Sequence, residues 1–385
     1  MMRTVLVTGA RAPVAIDIAH AFARAGHSTW LADSVTPHAA KWSTVGRGRI
    51  VSLPPARHAF GDYRTAMRLW LRNHSSALVV PTCEEVFYLS EAAARDGYAG
   101  QVFAPPPEVL RRLHSKIEFP AWARSLGIPA PETQAVTSAS DVAATSTKHG
   151  PALVLKPEFS RFGTATLVGP RPSELSAVAA SVDCRWAAQH RIEGEEICLW
   201  TAAREGSLVA GVAYRPKWRL GRSASFAFEA MDCPAALEVA RTIARAGRIT
   251  GQLAFDIILT ARGEAVPIEC NPRAISGVHL FCGRAALAEA ILGDGPPAYV
   301  TEGFVYLAPA MFFLGVPQAL RHASVRRWWS DLRRGSDAIT AISGWRGGVG
   351  TMVDAARFSA IALSRSRSPT RQTTDDIEWN GEAMP

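Results

Sequence analysis

Residues 253–271 read LAFDIILTARGEAVPIECN. Two apolar stretches alternate with period 2 on either side of Arg262-Gly263, the pattern of an antiparallel hairpin. With the turn centred on those two residues, Asp256 falls opposite Glu269, Phe255 opposite Cys270 and Ile257 opposite Ile268. One face then collects Phe255, Ile257, Leu259, Val266, Ile268 and Cys270, and the other carries Asp256, Glu269 and Asn271. Opposed residues hold their Cβ atoms about 5 Å apart, and i, i+2 spacing keeps Glu269 and Asn271 on one side. Two carboxylates and an amide oxygen, with no His or Cys, suit Mg²⁺ or Mn²⁺ bridging phosphates rather than zinc. An exposed hairpin with a polar outer face is the competing reading of the same alternation.

The 385 residues exceed one core and suffice for two or three domains. An apolar content of 48% with 20% charged residues is that of a soluble globular enzyme. Six cysteines (Cys83, Cys184, Cys198, Cys233, Cys270, Cys282) contain no CxxC pair, which points to thiols in a reducing compartment rather than a disulfide or zinc framework. No apolar run reaches membrane-spanning length, and Asp17 interrupts the N-terminus too soon for a signal peptide, so a cytoplasmic location is expected. The net charge of +8 is dispersed, without aromatic–basic interleaving, and fits anionic small substrates better than nucleic acid. Of 42 basic residues only five are lysines (Lys41, Lys116, Lys148, Lys156, Lys217), leaving 37 arginines. A retained lysine in so arginine-biased a chain hints at a place where a compact ammonium is needed, although composition drift leaves the same trace.

Val5–Thr8, Val14–Ala25 and Thr29–Asp33 read as a βαβ start, and Ala77–Val80 as a later strand. Thr82 and Glu85 fit a capping box opening a helix. Residues 1–107 thus form a small parallel α/β domain, ended by Pro105-Pro106-Pro107. A helix over 115–126, strands at 152–156, 164–168 and 186–192, a meander over 197–201 and 208–214, and a helix over 233–249 lead into the hairpin. Beyond 300 the pattern weakens, and 364–374 reads as a polar linker.

VLVTGARAPVA lacks G-x-G-x-x-G, having only Gly9 in its loop, so a scaffold or substrate-contact role suits this domain better than a dinucleotide site. Lys156 ends a buried strand and precedes a loop with Ser160 and Gly163, a reasonable phosphate clamp. Lys116 sits near a helix start, where backbone donors favour anions. In QHRIEGEE, residues 189–196, an extended edge can offer backbone groups to a base, and Glu196 a carboxylate to a ribose. Each signal alone has a bland reading as solvated charge; their order along the chain is specific.

Lys116 in SKIEFPAWARSLGIPAP, Lys156 in ALVLKPEFSRFGTAT, QHRIEGEE and FDII…EAVPIECNPR together resemble an ATP-grasp enzyme over about residues 108–290. The resemblance implies a Rossmann-like pre-ATP-grasp domain (1–107) and a two-lobed ATP-grasp domain (108–295, lobes about 115–190 and 191–295), with 296–385 an extension of uncertain structure. It implies that Lys116 and Lys156 hold ATP phosphates under the SRFGTAT lid with Ser160 and Gly163. Gln189 would face the adenine amine, the His190-Arg191-Ile192 backbone the ring, and Glu196 the ribose. Asp256, Glu269 and Asn271 would coordinate Mg²⁺, with Arg273 and Lys156 catalytic, Arg273 on the transferred phosphoryl group. The lid is poorer in glycine than many in the family, and the segment after 300 does not align.

Two further regions are substrate-facing candidates. The basic loop 214–222 offers Arg215 and Lys217, with a solvated loop as the equal alternative; Ser276 and His279 follow the metal strand. The expected function is a Mg-ATP-dependent ligase joining a small-molecule carboxylate to an amine through an acyl phosphate. Carboxyphosphate chemistry on bicarbonate, as in carbamoyl phosphate synthetase and biotin carboxylase relatives, and a non-catalytic nucleotide-binding regulator are the alternatives. No nucleic-acid or membrane partner is expected; the oligomeric state is open, with a homodimer among the expectations.

Overall fold

The computed structural model describes residues 2–161, 163, 165–220, 224–364 and 373–385. Phe162 and Thr164 of the expected lid, Arg222 of the expected basic loop and residues 365–372 of the expected linker lie outside them. Among the described residues three sheets organise the chain, and they follow one another along the sequence.

The first is parallel, in the order β3-β2-β1-β4: β1 (Thr4–Thr8), β2 (Ser28–Asp33), β3 (Ile50–Ser52) and β4 (Leu78–Val80). Helices α1 (Pro13–Arg24), α2 (His38–Trp42), α3 (Phe60–Asn73) and α4 (Glu85–Asp96) cover it, as parallel strands buried on both faces require. Glu85 helps open α4: its Oε1 accepts from the Thr82 amide at 3.1 Å. The Thr82 hydroxyl, however, donates across to Thr8 O at 2.7 Å, so the expected capping box is half made. Two short helices, α5 (Pro107–His114) and α6 (Glu118–Ser125), lead out of this domain.

The second sheet is small and antiparallel, β5-β8-β6-β7, with β5 (Thr133–Val136), β6 (Leu153–Pro157), β7 (Leu167–Val168) and β8 (Trp186–His190). The third holds β9 (Glu195–Arg204), β10 (Ser207–Leu220), β11 (Ala224–Met231), β12 (Gly251–Leu259), β13 (Ala265–Asn271), β14 (Ala298–Val300), β15 (Phe304–Tyr306) and β16 (Ser336–Asp337). Its order is β13-β12-β9-β10-β11-β15-β16, with β14 beside β10. Three of its strands therefore come from beyond residue 295, and the extension is built into the central sheet rather than appended to it.

The opening hairpin forms, with Phe255 opposite Cys270 and Asp256 opposite Glu269 as the spacing predicts. Two irregularities cancel to give that register. The Gly263 amide donates to Thr260 O (2.9 Å) and the Thr260 amide to Glu264 O (3.0 Å), so the loop is the three residues 261–263, with Gly263 at φ +79. That loop alone would place Asp256 opposite Ile268. A β-bulge between Asp256 and Ile257 inserts one residue and restores Glu269. On the turn side of the bulge Ile257 therefore faces Pro267, and Ala265 rather than Val266 joins Phe255, Ile257 and Cys270 in the core.

A single apolar core joins α1 and the first sheet to the face of the third sheet carrying Trp200, Tyr214 and Phe228. A second core lies under the hairpin, α6 and the helix Pro234–Ala246. The hairpin is thus held from below by Phe255, Ile257 and Phe119, all nearly inaccessible to solvent.

Candidate active site

The polar edge of the hairpin faces the loop that follows β6. Asn271 Nδ2 donates to Glu269 Oε1 at 3.3 Å, leaving Asn271 Oδ1 buried without a partner among the described residues. A buried amide oxygen without a donor costs about 1–3 kcal/mol unless a ligand meets it. Asp256 lies across the ladder from Glu269, and its Oδ1 accepts a weak hydrogen bond from Cys198 Sγ (3.4 Å). Burial, then the neighbouring Glu269 and Glu196 carboxylates, push the Asp256 pKa up to about 6. Crowded carboxylates beside an orphaned amide oxygen are the kind of oxygen donors that a hard cation accepts. Among the described residues no three His, Cys, Asp or Glu side chains converge as a metal site. The mixed carboxylate–amide set fits Mg²⁺, an ion that keeps part of its shell for phosphate and water.

Lys116 enters from the other side. It precedes α6, whose first amides are met by Ser115 Oγ (Glu118 N, 3.0 Å), and is almost fully buried. Its Nζ donates to Ser160 O at 2.6 Å and stands 3.5 Å from Glu269 Oε1. Lys156, on β6, is buried without an ion pair within 4 Å among the described residues. Burial lowers its pKa, opposed by the Glu269 carboxylate. Two buried ammonium groups, one of them without an ion pair among the described residues, stand beside the carboxylates, an arrangement that suits a polyanion.

Gln189, the last residue but one of β8, is buried, with Nε2 donating to Thr133 Oγ1 at 3.0 Å. His190 and Arg191 are exposed and Ile192 half-buried; the Arg191 amide donates to Ala152 O (2.8 Å), which commits it to the sheet. Gly194 crosses the hairpin so closely, at φ +154, that a Cβ there would lie 2.3 Å from Leu259 O. Glu196 is the second residue of β9, opposite Ile258 of β12 and two residues from the position facing Asp256, and pairs with Arg219 at 2.8 Å. Ser160 Oγ donates to Pro157 O at 3.1 Å, and Gly163 takes φ +60 in the same loop.

Arg273 follows the hairpin, with its Nη2 3.7 Å from Glu84 Oε1. Glu84, at the carboxyl end of β4, is buried and also receives Arg161 Nη1 at 2.8 Å. Burial raises the Glu84 pKa, against the pull of Arg161 and Arg273. Lys116, Lys156, Asp256, Glu269 and Asn271 thus lie close to one another, and Arg273 reaches Glu84.

The structure does not bring all candidates there. His279 is buried against Asp17 of α1 (Nδ1–Oδ2 2.7 Å), stacked near Phe228 in the core between the first and third sheets. The segment read as a basic loop is strand β10 up to Leu220, because its residues pair with β11. On it Arg215 is tied to Glu195 (2.6 Å) and Lys217 to Glu229 (3.0 Å). Ser276 begins a short 3-10 turn after Arg273 and is half-buried.

Sequence reasoning missed the C-terminal residues 373–385, which lie against the loop after β6 through Glu378 and Asn380 on Arg161. Their signal was a short acidic and aromatic run, DDIEWNGE, at the end of a basic chain.

No family model and no curated protein matches the chain. Solved structures do. Phosphoribosylamine–glycine ligase from Thermotoga maritima shares 15% identity over 78% of each chain, with a TM-score of 0.59. N5-carboxyaminoimidazole ribonucleotide synthetase from Thermus thermophilus shares 18% identity over 78% of this chain and 81% of its own, with a TM-score of 0.61. L-amino acid ligase from Bacillus licheniformis shares 16% identity, covering 75% of this chain and 74% of its own, with a TM-score of 0.55. At these identities the likeness is one of fold, and the fold is ATP-grasp behind a Rossmann-like domain, as the motifs imply.

Proposed function

We propose that the chain is a Mg-ATP-dependent ligase that activates a small-molecule carboxylate as an acyl phosphate and joins it to an amine. The observation that carries this reading is Lys116 Nζ, shared between Ser160 O (2.6 Å) and Glu269 Oε1 (3.5 Å). It joins the loop after β6 to the hairpin carboxylates. The structural relatives whose names state ligation of amino acids or amines support it as well.

In this reading Lys116 and Lys156, with Ser160 and Gly163, hold the ATP phosphates. Gln189, the His190–Ile192 edge and Glu196 receive adenine and ribose, Ile192 offering the amide that Arg191 has already spent on Ala152. Mg²⁺ on Asp256, Glu269 and Asn271 supplies charge neutralisation at the phosphates. Arg273, held by Glu84, faces the transferred phosphoryl group. A carboxylate oxygen of the substrate attacks the γ-phosphorus and ADP leaves. The amine nitrogen then attacks the acyl carbon and loses a proton, and phosphate departs with the former carboxylate oxygen. Such transfer needs positioning and neutralised charge more than a protein nucleophile, and the site offers lysines, an arginine and carboxylates.

The test is nucleotide turnover with pools of amino acids and carboxylic acids, following new masses. ADP and phosphate in step with a new amide mass is the expected result; AMP formation overturns the acyl-phosphate reading. ATP turnover that needs bicarbonate and no amino acid would replace it with carboxyphosphate chemistry, a reading that the likeness to biotin carboxylase from Campylobacter jejuni (14% identity, TM-score 0.58) keeps in view.

A further inference from the structure

Residues 373–385 lie across the carboxyl ends of β1, β2 and β4, the crevice where open parallel sheets commonly bind ligands. Asp376 meets Arg11 (2.5 Å) and Ser34; Tyr88 OH donates to Glu378 O at 2.9 Å. Trp379 stacks on Phe87 (centroids 4.9 Å) and meets Phe159 at a tilt (5.0 Å). Gly381, at φ +92, passes so close to Phe159 that a Cβ would lie 2.5 Å from the ring. These contacts seat the segment without help from the loop arginine.

Glu378 does something more. One oxygen takes Arg57 Nη1 (2.5 Å) and the other lies 2.9 Å from Arg161 Nη2, which also donates to Asn380 Oδ1 at 2.8 Å. The Glu378 and Arg161 side chains are each only 9% exposed, so neither pairs with its partner merely for want of anything else at the surface. Arg161 directly follows Ser160, whose carbonyl orients Lys116 Nζ, and its other nitrogen holds Glu84, the partner of Arg273. We propose that Glu378 is a positioning residue for the nucleotide site, fixing Arg161 and through it the Ser160 carbonyl that aims Lys116. The inference rests on the reading of Lys116 as a phosphate ligand.

The test is binding of Mg-AMP-PNP to the full chain by calorimetry, in wild type, Glu378→Gln, Arg161→Gln, the double variant and Asp376→Asn. Glu378→Gln and Arg161→Gln should each weaken binding about five- to tenfold, as for the loss of one close ion pair in a part-buried site. The double variant should be no weaker than the worse single one, because both changes reach the nucleotide site through the shared Glu378–Arg161 contact. Asp376→Asn, which loosens the seat and spares Arg161, should stay within twofold. In turnover, Glu378→Gln should raise the KM for ATP and leave kcat within twofold. Asn380→Ala, a smaller change at the same guanidinium, should weaken binding in the same direction and serves if Glu378→Gln does not fold. Unchanged binding in Glu378→Gln, additive single effects, or equal losses in Glu378→Gln and Asp376→Asn would overturn the proposal. A wild type that does not bind Mg-AMP-PNP overturns the nucleotide reading first, and the positioning claim with it.

Discussion

Asp256→Asn should make the metal-free protein more stable while destroying its response to Mg²⁺. Its carboxyl pKa is raised from 3.8 to about 6 by burial and by Glu269 and Glu196. A raised carboxyl pKa means that the folded state binds the proton more tightly than the unfolded chain. Stability is therefore lost, not gained, as pH rises through the window from about 4 to 6. At pH 7 to 8 the carboxylate costs the fold at most about 3 kcal/mol, about half of that at pH 5, and a few tenths to one-half at pH 4. The asparagine removes that cost, and its Oδ1 can still accept from Cys198 Sγ. Urea unfolding at pH 8, 5 and 4 should show Asp256→Asn more stable by about 1–3 kcal/mol at the highest pH, with the gain shrinking on acidification. Adding millimolar Mg²⁺ with AMP-PNP should stabilise wild type by mass action and leave the variant unmoved. A variant equal to or weaker than wild type at pH 8, or a gain that does not depend on pH, would refute the reasoning.

Three other substitutions follow from the same geometry. Lys156→Met takes a buried ammonium out of the fold, so thermal stability should hold or rise while Mg-AMP-PNP affinity falls about 30-fold or more; calorimetry and a melt read both. His279→Phe strands Asp17 in the core and should cost about 3–5 kcal/mol of stability in urea unfolding. Under conditions where His279→Phe stays folded, its nucleotide affinity should match wild type; a kinetic defect without instability would return His279 to the site. Gly194→Ala would drive a methyl into Leu259 O. It should lower adenine-nucleotide affinity and shift the melt downwards by several degrees, as about 1–3 kcal/mol of strain would.

Much of the site was legible because its chemistry is local. The Asp256–Glu269 pair follows from period-2 spacing, and the sequence placed it correctly even though the loop is one residue longer than read and a bulge makes up the difference. Neither irregularity leaves a mark in hydrophobic alternation, which is why the facing of Val266 and Ile268 was misjudged near the turn. Lys116 and Lys156 stood out because lysine is scarce. The basic segment after Tyr214 misleads for a physical reason: Arg215, Lys217 and Arg219 alternate along β10, and each finds a carboxylate on a neighbouring strand. His279 is one apolar turn away from looking like a ligand, and only the packing of α1 on the third sheet reveals its partner Asp17. Strands β14 to β16 are two or three residues long and paired by chain returns of many residues, below what periodicity can detect. The partners of Arg161 in the C-terminal residues are set by contacts more than 200 residues apart in sequence.

The central claim is transfer of phosphate to a carboxylate, and oxygen labelling tests it most directly. The protein is incubated with Mg-ATP, a pool of amines and a pool of carboxylic acids carrying ¹⁸O in the carboxyl group, and the released phosphate is read by ³¹P NMR or mass spectrometry. The account predicts ADP and one ¹⁸O per phosphate, in step with each amide formed. Unlabelled phosphate accompanying amide formation, or label recovered in AMP, would contradict it.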